Sequence, residues 1–222
     1  MQMPMAEEKR RYPQTPPRGE QKEAGNAIKH WRFPLLCVLY SRAVREFKAK
    51  EVFAAQGIGN PVSVTGMNPD SVQGDRIILP YMDKLNAAGL VDLDVRDCPD
   101  LVPPLALRAA LRDGETTVIS NAARLRLKES DRLASVTAVL GAMGANIDEG
   151  PDSLTIHGAA SLKGGVTVDS WGDHRIAMMA AMAATVCREP ITLTGAESVR
   201  KSYPGFWDDY CRLGGSIQEV SS

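Results

Sequence analysis

Residues 124–132 read RLRLKESDR, with three arginines, a lysine, a glutamate and an aspartate in nine positions. Behind this stretch Leu133, Val136, Leu140 and Met143 form one apolar stripe at helical spacing, so the charges stand at a helix entrance. Acids in a first turn complement the helix dipole, and Glu129 and Asp131 obey that rule. Lys128 and Arg132 do not. Two cations beside the free N–H groups of a helix N-terminus would attract a phosphate or carboxylate. The plain alternative is an exposed Glu129–Arg132 ion pair, worth under about 1 kcal/mol.

Other helix entrances repeat the theme. In WGDHRIAMMAAM (171–182), Asp173 reads as a cap, His174 as structural and the methionines as core packing. Arg175 is the one cation before Arg188. In VRKSYPGFW (199–207), Arg200 and Lys201 precede a proline-marked helix start, where a solvated surface pair is the default. In RDCPDL (96–101), Asp100 follows Pro99 at the mouth of an apolar helix, where capping is the default. Taken together, three entrances offering cations and one entrance carboxylate suit a site for a small, multiply charged anion.

Around these entrances strands and helices alternate. PVSVTG (61–66), LVDLDVRD (90–97), TTVIS (116–120), VTVDS and PITLTG read as strands. ANIDEGPDSLTIHG reads as two strands around the turn Gly150-Pro151-Asp152. Helices are predicted after NPDSVQGD with a stop at Gly89, after CPDL with a stop at Gly114, and over the apolar runs following KESDR, WGD and SYP. The pattern predicts an α/β fold of the α+β type, a mixed sheet packed on helices. Neither GxGxxG nor GxxxxGK[ST] occurs.

The 222 residues carry 26 basic and 27 acidic side chains, a net charge of −1. Without a basic run there is no phosphate footprint for a nucleic-acid partner. The four cysteines lack CxxC spacing and the three histidines lack HxxxH, so no metal site is expected. The longest apolar run, FPLLCVLY (33–40), is too short to span a membrane. Reduced thiols and the lack of a leader-like start suggest a cytoplasmic location. Residues 1–30 are polar and read as a mobile tail, and residues 31–47 carry no clear turn or cap signal.

RLRLKESDR, DHRIAM and KSYPGFW in this order, with NPDSVQGDR and DCPDL, resemble the C-terminal half of the 5-enolpyruvylshikimate-3-phosphate synthases. The resemblance runs from about residue 48 to the C-terminus. It implies a domain of βαβαββ units around a pseudo-threefold axis, incomplete at its start. It also implies transfer of the enolpyruvyl group of phosphoenolpyruvate to the 5-hydroxyl of shikimate 3-phosphate, without metal or organic cofactor. By the same resemblance Asp100 accepts the hydroxyl proton and Glu129 protonates the methylene carbon. Lys128 would lie at the shared site, and Arg132, Arg175 and Lys201 would hold phosphoenolpyruvate. Arg124 stands where some members contact shikimate phosphate, a position often occupied by asparagine.

The family's N-terminal stretches for shikimate 3-phosphate do not occur in this sequence, and residues 1–47 match no part of the family. The expectation is therefore a 48–222 domain with impaired or no activity alone, acting with an N-terminal domain supplied in trans. The alternatives are a non-catalytic anion-binding or partner module derived from the synthase, and a transferase for another acceptor hydroxyl.

Overall fold

Strand β3, Val91–Asp94, alternates buried and exposed residues as its sequence does. The computed structural model describes residues 74–212 and 215–220, with two short antiparallel strands, β1 (Ala55–Gln56) and β2 (Pro61–Val62). The 1–47 head and most of PVSVTG lie outside the described residues. After β3 the chain passes through α2 (Val102–Ala110) to β4 (Thr116–Ser120), then α3 (Arg132–Ala142), β5 (Asn146–Glu149) and β6 (Leu154–His157). β4 lies parallel to β3, and β6 inserts antiparallel between β4 and β5, giving the order β3-β4-β6-β5. This is one complete βαβαββ unit. A second unit begins with β7 (Thr167–Asp169), α4 (His174–Ala184), β8 (Thr192–Thr194) and α5 (Phe206–Arg212), with β7 and β8 parallel.

The core lies where α2, α3 and α4 meet each other and the first sheet. Ile119 faces Leu93 on one side and Leu154 on the other, and all three are fully buried. α2 and α4 are apolar nearly all round, the mark of helices enclosed by neighbours. Pro103 and Pro104 fall in the first turn of α2, where a missing N–H costs no helical hydrogen bond.

One boundary differs from the sequence reading. Helix α1 (Ile78–Lys84) ends before the predicted stop at Gly89. The buried Arg112 takes over the intervening carbonyls. Its Nε donates to Leu85 O at 3.1 Å, and its Nη2 to Ala87 O and Gly89 O at 2.7 and 2.9 Å. Its Nη1 donates to Thr116 O and Thr117 Oγ1 at 2.9 and 2.6 Å. A single guanidinium thus fastens the α1–β3 connection to β4. Arg112→Leu keeps the stem but strands these acceptors, and should cost about 2–4 kcal/mol, read from the urea midpoint.

Candidate anion-binding site

Asn121 leaves β4 in the left-handed region at φ 58, and Ala122 donates its N–H to Asp152 O at 2.8 Å. The chain then winds through a 3-10 turn, Ala123–Leu127, before α3. Arg126 braces this connection against the β5–β6 hairpin. Its Nε and Nη2 donate to Pro151 O and Gly150 O, each at 2.8 Å, and its Nη1 meets Asp131 at 2.8 Å and Glu149 at 2.9 Å. Lys128 and Glu129 therefore project from a braced connection that precedes the helix, rather than from its first turn.

Arg132 opens α3 and is 1% exposed. Its Nε donates to Asp173 Oδ2 at 2.7 Å, and its Nη1 donates to Asp100 Oδ1 at 2.7 Å. Its Nη2 reaches Asp173 Oδ1 at 3.3 Å and also donates to Glu129 Oε2. Asp173 is fully buried, accepts the Arg175 N–H at 2.9 Å as the α4 cap, and accepts from Ser130 Oγ at 3.1 Å. Burial opposes its charge, but the Arg132 guanidinium and these hydrogen bonds hold its carboxyl below the usual range. Burial likewise opposes the Arg132 charge, and Asp173, Asp100 and Glu129 more than offset it.

Asp100 sits in the short turn Pro99–Leu101 ahead of α2, where Cys98 is the N-cap residue and no side-chain cap bond forms. It faces cations instead of capping. Arg175 Nη2 donates to Asp100 Oδ2 at 2.8 Å, while Lys128 Nζ lies 3.2 Å from its Oδ1 beside the Arg132 contact. Burial would raise this carboxyl, but Arg175, Arg132 and Lys128 bring it below its ordinary value. Asp75, unassigned in the sequence reading, is half-buried within the field of the same groups. Burial raises its carboxyl and Asp100 adds to the rise, against Arg175 and Lys128.

Both helix N-termini beside the cluster carry side-chain caps. Asp131 caps α3 by accepting the Ala134 N–H at 3.2 Å, and Asp173 caps α4. Each cap takes one first-turn N–H, and the positive charge gathered here comes from the side chains of Lys128, Arg132 and Arg175.

Lys201 is exposed, and its Nζ donates to Gly172 O at 2.7 Å, one residue from Asp173. The adjoining Trp171 and Gly172 are both left-handed, at φ 56 and 62. For a bulky residue such as Trp171 this conformation costs about 1–3 kcal/mol. Arg124 is exposed, and no hydrogen bond or ion pair to another described residue fixes it. His174 is buried, and burial, with Arg175 next in effect, pushes its pKa below the ordinary value, which favours the neutral ring. It thus fits a structural position. The Cys98 thiol is pushed up to about 12, mainly by burial, which disfavours its thiolate.

The structure therefore brings together Asp100, Lys128, Glu129, Arg132 and Arg175 from three segments, with Lys201 tied to the turn before α4. A family model described as EPSP synthase (3-phosphoshikimate 1-carboxyvinyltransferase) matches residues 51–210. The chain belongs to that family. A 3-phosphoshikimate 1-carboxyvinyltransferase of Clostridium kluyveri is 47% identical over 180 residues, covering 74% of this chain and 42% of the relative. One from Clostridium acetobutylicum is 44% identical over 191 residues, covering 79% and 44%. The chain spans about two-fifths of the length of these curated relatives. An EPSP synthase structure from Acinetobacter baumannii superposes with a TM-score of 0.54 at 26% identity, covering 83% of this chain and 40% of that one.

Asp173→Asn leaves the buried Arg132 short of its main counter-charge and should cost about 3–5 kcal/mol, measured by denaturant unfolding. Asp131→Ala, which removes a half-buried cap, should cost about 1 kcal/mol. The pH dependence follows from the lowered carboxyls. Asp173 and Asp100 have folded values below their unfolded values near about 3.9, so their stabilisation is complete above that pH and is lost as the pH falls through the folded values. An acid titration of the melting temperature should fall below about pH 4, with a shallower slope in Asp173→Asn.

Proposed function

We propose that this chain supplies the phosphoenolpyruvate-binding and proton-transferring half of a 3-phosphoshikimate 1-carboxyvinyltransferase site. The observation that carries the reading is the convergence of Lys128, Arg132 and Arg175 on the single carboxylate of Asp100. In this reading Arg132, Arg175 and Lys201 bind the phosphate and carboxylate of phosphoenolpyruvate, and Lys128 spans donor and acceptor. Several fixed cations are needed because the ligand brings multiple charges out of water. Arg124, which is exposed, is assigned to the acceptor.

The chemistry requires a bond from the acceptor 5-hydroxyl oxygen to C2 of phosphoenolpyruvate. The hydroxyl proton leaves and another proton reaches C3. Loss of a C3 proton with departure of phosphate then restores the enol ether. Asp100 takes the hydroxyl proton and Glu129 serves C3. In the unliganded cluster Asp100 is a weak base, because three cations stabilise its ionised form. An anionic ligand that draws those cations away raises its basicity where the proton must be received. The donor thereby prepares the base.

The acceptor contacts are assigned to an N-terminal domain, whether joined to this chain or supplied in trans, because the chain spans about two-fifths of the length of its relatives. Domain closure would then exclude water and complete the geometry. The chain alone is expected to bind phosphoenolpyruvate and to release little or no phosphate from it. The test is calorimetric binding of phosphoenolpyruvate, paired with phosphate release in the presence of shikimate 3-phosphate. Lys128→Ala should weaken binding about tenfold or more, equivalent to about 1.4 kcal/mol. Glu129→Gln should leave binding within a few-fold and abolish the phosphate release gained when an N-terminal half is added. Absence of phosphoenolpyruvate binding, or binding indifferent to Lys128, would overturn the proposal.

A further inference from the structure

The strain at Trp171 is not accounted for by the ion cluster beside it. Trp171 and Gly172 are the central residues of a tight turn after β7, closed by the Asp173 N–H donating to Ser170 O at 3.0 Å. With both central residues left-handed the turn is of type I′, which favours glycine, asparagine and aspartate rather than tryptophan. Every N–H of the turn has an acceptor. Ser170 N donates to Thr194 O at 3.0 Å, Trp171 N to Asp169 Oδ1 at 2.6 Å and Gly172 N to Ser170 Oγ at 3.3 Å. The turn therefore offers no nest of free amides to an anion. What it presents is a carbonyl, Gly172 O, and the Lys201 ammonium rests on it at 2.7 Å.

Asp169 ties this turn to the segment that carries Lys201. Its Oδ1 holds the Trp171 N–H, and its Oδ2 accepts the Thr194 hydroxyl at 2.6 Å from the paired position on β8. The chain then turns at Gly195, left-handed at φ 67, into the 3-10 turn Ala196–Lys201. The two connections approach so closely there that a Cβ on Gly195 would lie 2.3 Å from Ser170 Oγ. The strand pair β3–β4 supplies a comparison. Asp94 ends β3 as Asp169 ends β7, and its Oδ1 likewise accepts the N–H two residues on, from Arg96 at 3.0 Å. The hydroxyl at its paired position, Ser120, donates to Asp92 at 2.7 Å instead. No residue of 95–98 is left-handed. The double use of one carboxylate thus accompanies the strained turn.

We infer that Asp169 is a positioning residue for Lys201. By holding the turn at Trp171 and Gly172 and the end of β8 as one unit, it keeps Gly172 O where the ammonium can rest. That resting place is one residue from Asp173, at the edge of the Arg132 cluster. A long, flexible lysine held there before a ligand arrives loses less freedom on meeting an anion. The use of this placement rests on the reading of Lys201 as a donor-binding cation. The placement itself does not.

Two measurements on the full chain separate the placement from its use. Without ligand, acylation of lysines by acetic anhydride is followed residue by residue by mass spectrometry. Lys201 should react several-fold more slowly than Lys163, which is exposed. Asp169→Ala should speed Lys201 about threefold or more and leave Lys163 unchanged. Thr194→Val cuts only the tie to β8 and should shift Lys201 in the same direction, which keeps the test open if Asp169→Ala does not fold. Asp169→Asn can still accept the Trp171 N–H and can donate to Thr194 Oγ1, so Lys201 should react as in the parent. With phosphoenolpyruvate, Asp169→Ala should weaken calorimetric binding about fivefold when Lys201 is present and less than about twofold in a Lys201→Ala background. Unchanged Lys201 labelling in Asp169→Ala (or in Thr194→Val, should the first not fold) would overturn the placement, as would Asp169→Asn behaving like Asp169→Ala. Equal weakening of binding with and without Lys201 would overturn its use. A parent chain that binds no phosphoenolpyruvate would overturn the reading of the anion site, and the labelling would still decide the placement.

Discussion

Arg132 and Asp173 are charges taken out of water together, and the arrangement of the site follows from the need to keep them satisfied. A guanidinium 1% exposed is tolerable only with its donors occupied, and Asp173, Asp100 and Glu129 occupy them. Asp173 in turn is held by the α4 N-terminus and by Ser130. The pair therefore fixes the start of α3 against the start of α4 and draws the turn before α2 toward both. The geometry of the proposed donor site is a by-product of neutralising one buried cation.

The strand–helix order was legible in local pattern. TTVIS coincides with β4, the Gly150-Pro151-Asp152 turn separates β5 from β6, and Asp173 caps α4 as its position suggests. What could not be read locally were partners far apart in the chain. Arg132 and Asp173 are separated by 41 residues, and Arg175 and Asp100 by 75. No periodicity encodes such a pairing, and the family motifs alone suggested that these residues meet. Arg126, Ser130, Asp75 and Arg112 escaped notice because their importance lies in which carbonyls or charges they face. The dipole argument looked past one local competitor: Asp131 and Asp173 each take a first-turn N–H, of Ala134 and of Arg175.

The same contrast explains the boundaries. α1 stops early because Arg112, in the turn that follows α2, competes for its trailing carbonyls. Asp100 does not cap α2, because three cations outbid the backbone donors nearby. In both cases a charged group from another element overrides the local preference.

The cluster also bears on how quickly a ligand arrives. Within the central cluster Lys128, Arg132 and Arg175 are equalled in number by Asp100, Glu129 and Asp173, so that cluster by itself presents little net charge to bulk solvent. Long-range steering depends on net charge in a cleft and fades over a Debye length. An approaching anion meets little attraction until its oxygens can exchange with carboxylate oxygens at contact distance. Association should therefore resemble ion exchange in a resin more than capture by a charged funnel, with a modest rate that responds weakly to ionic strength.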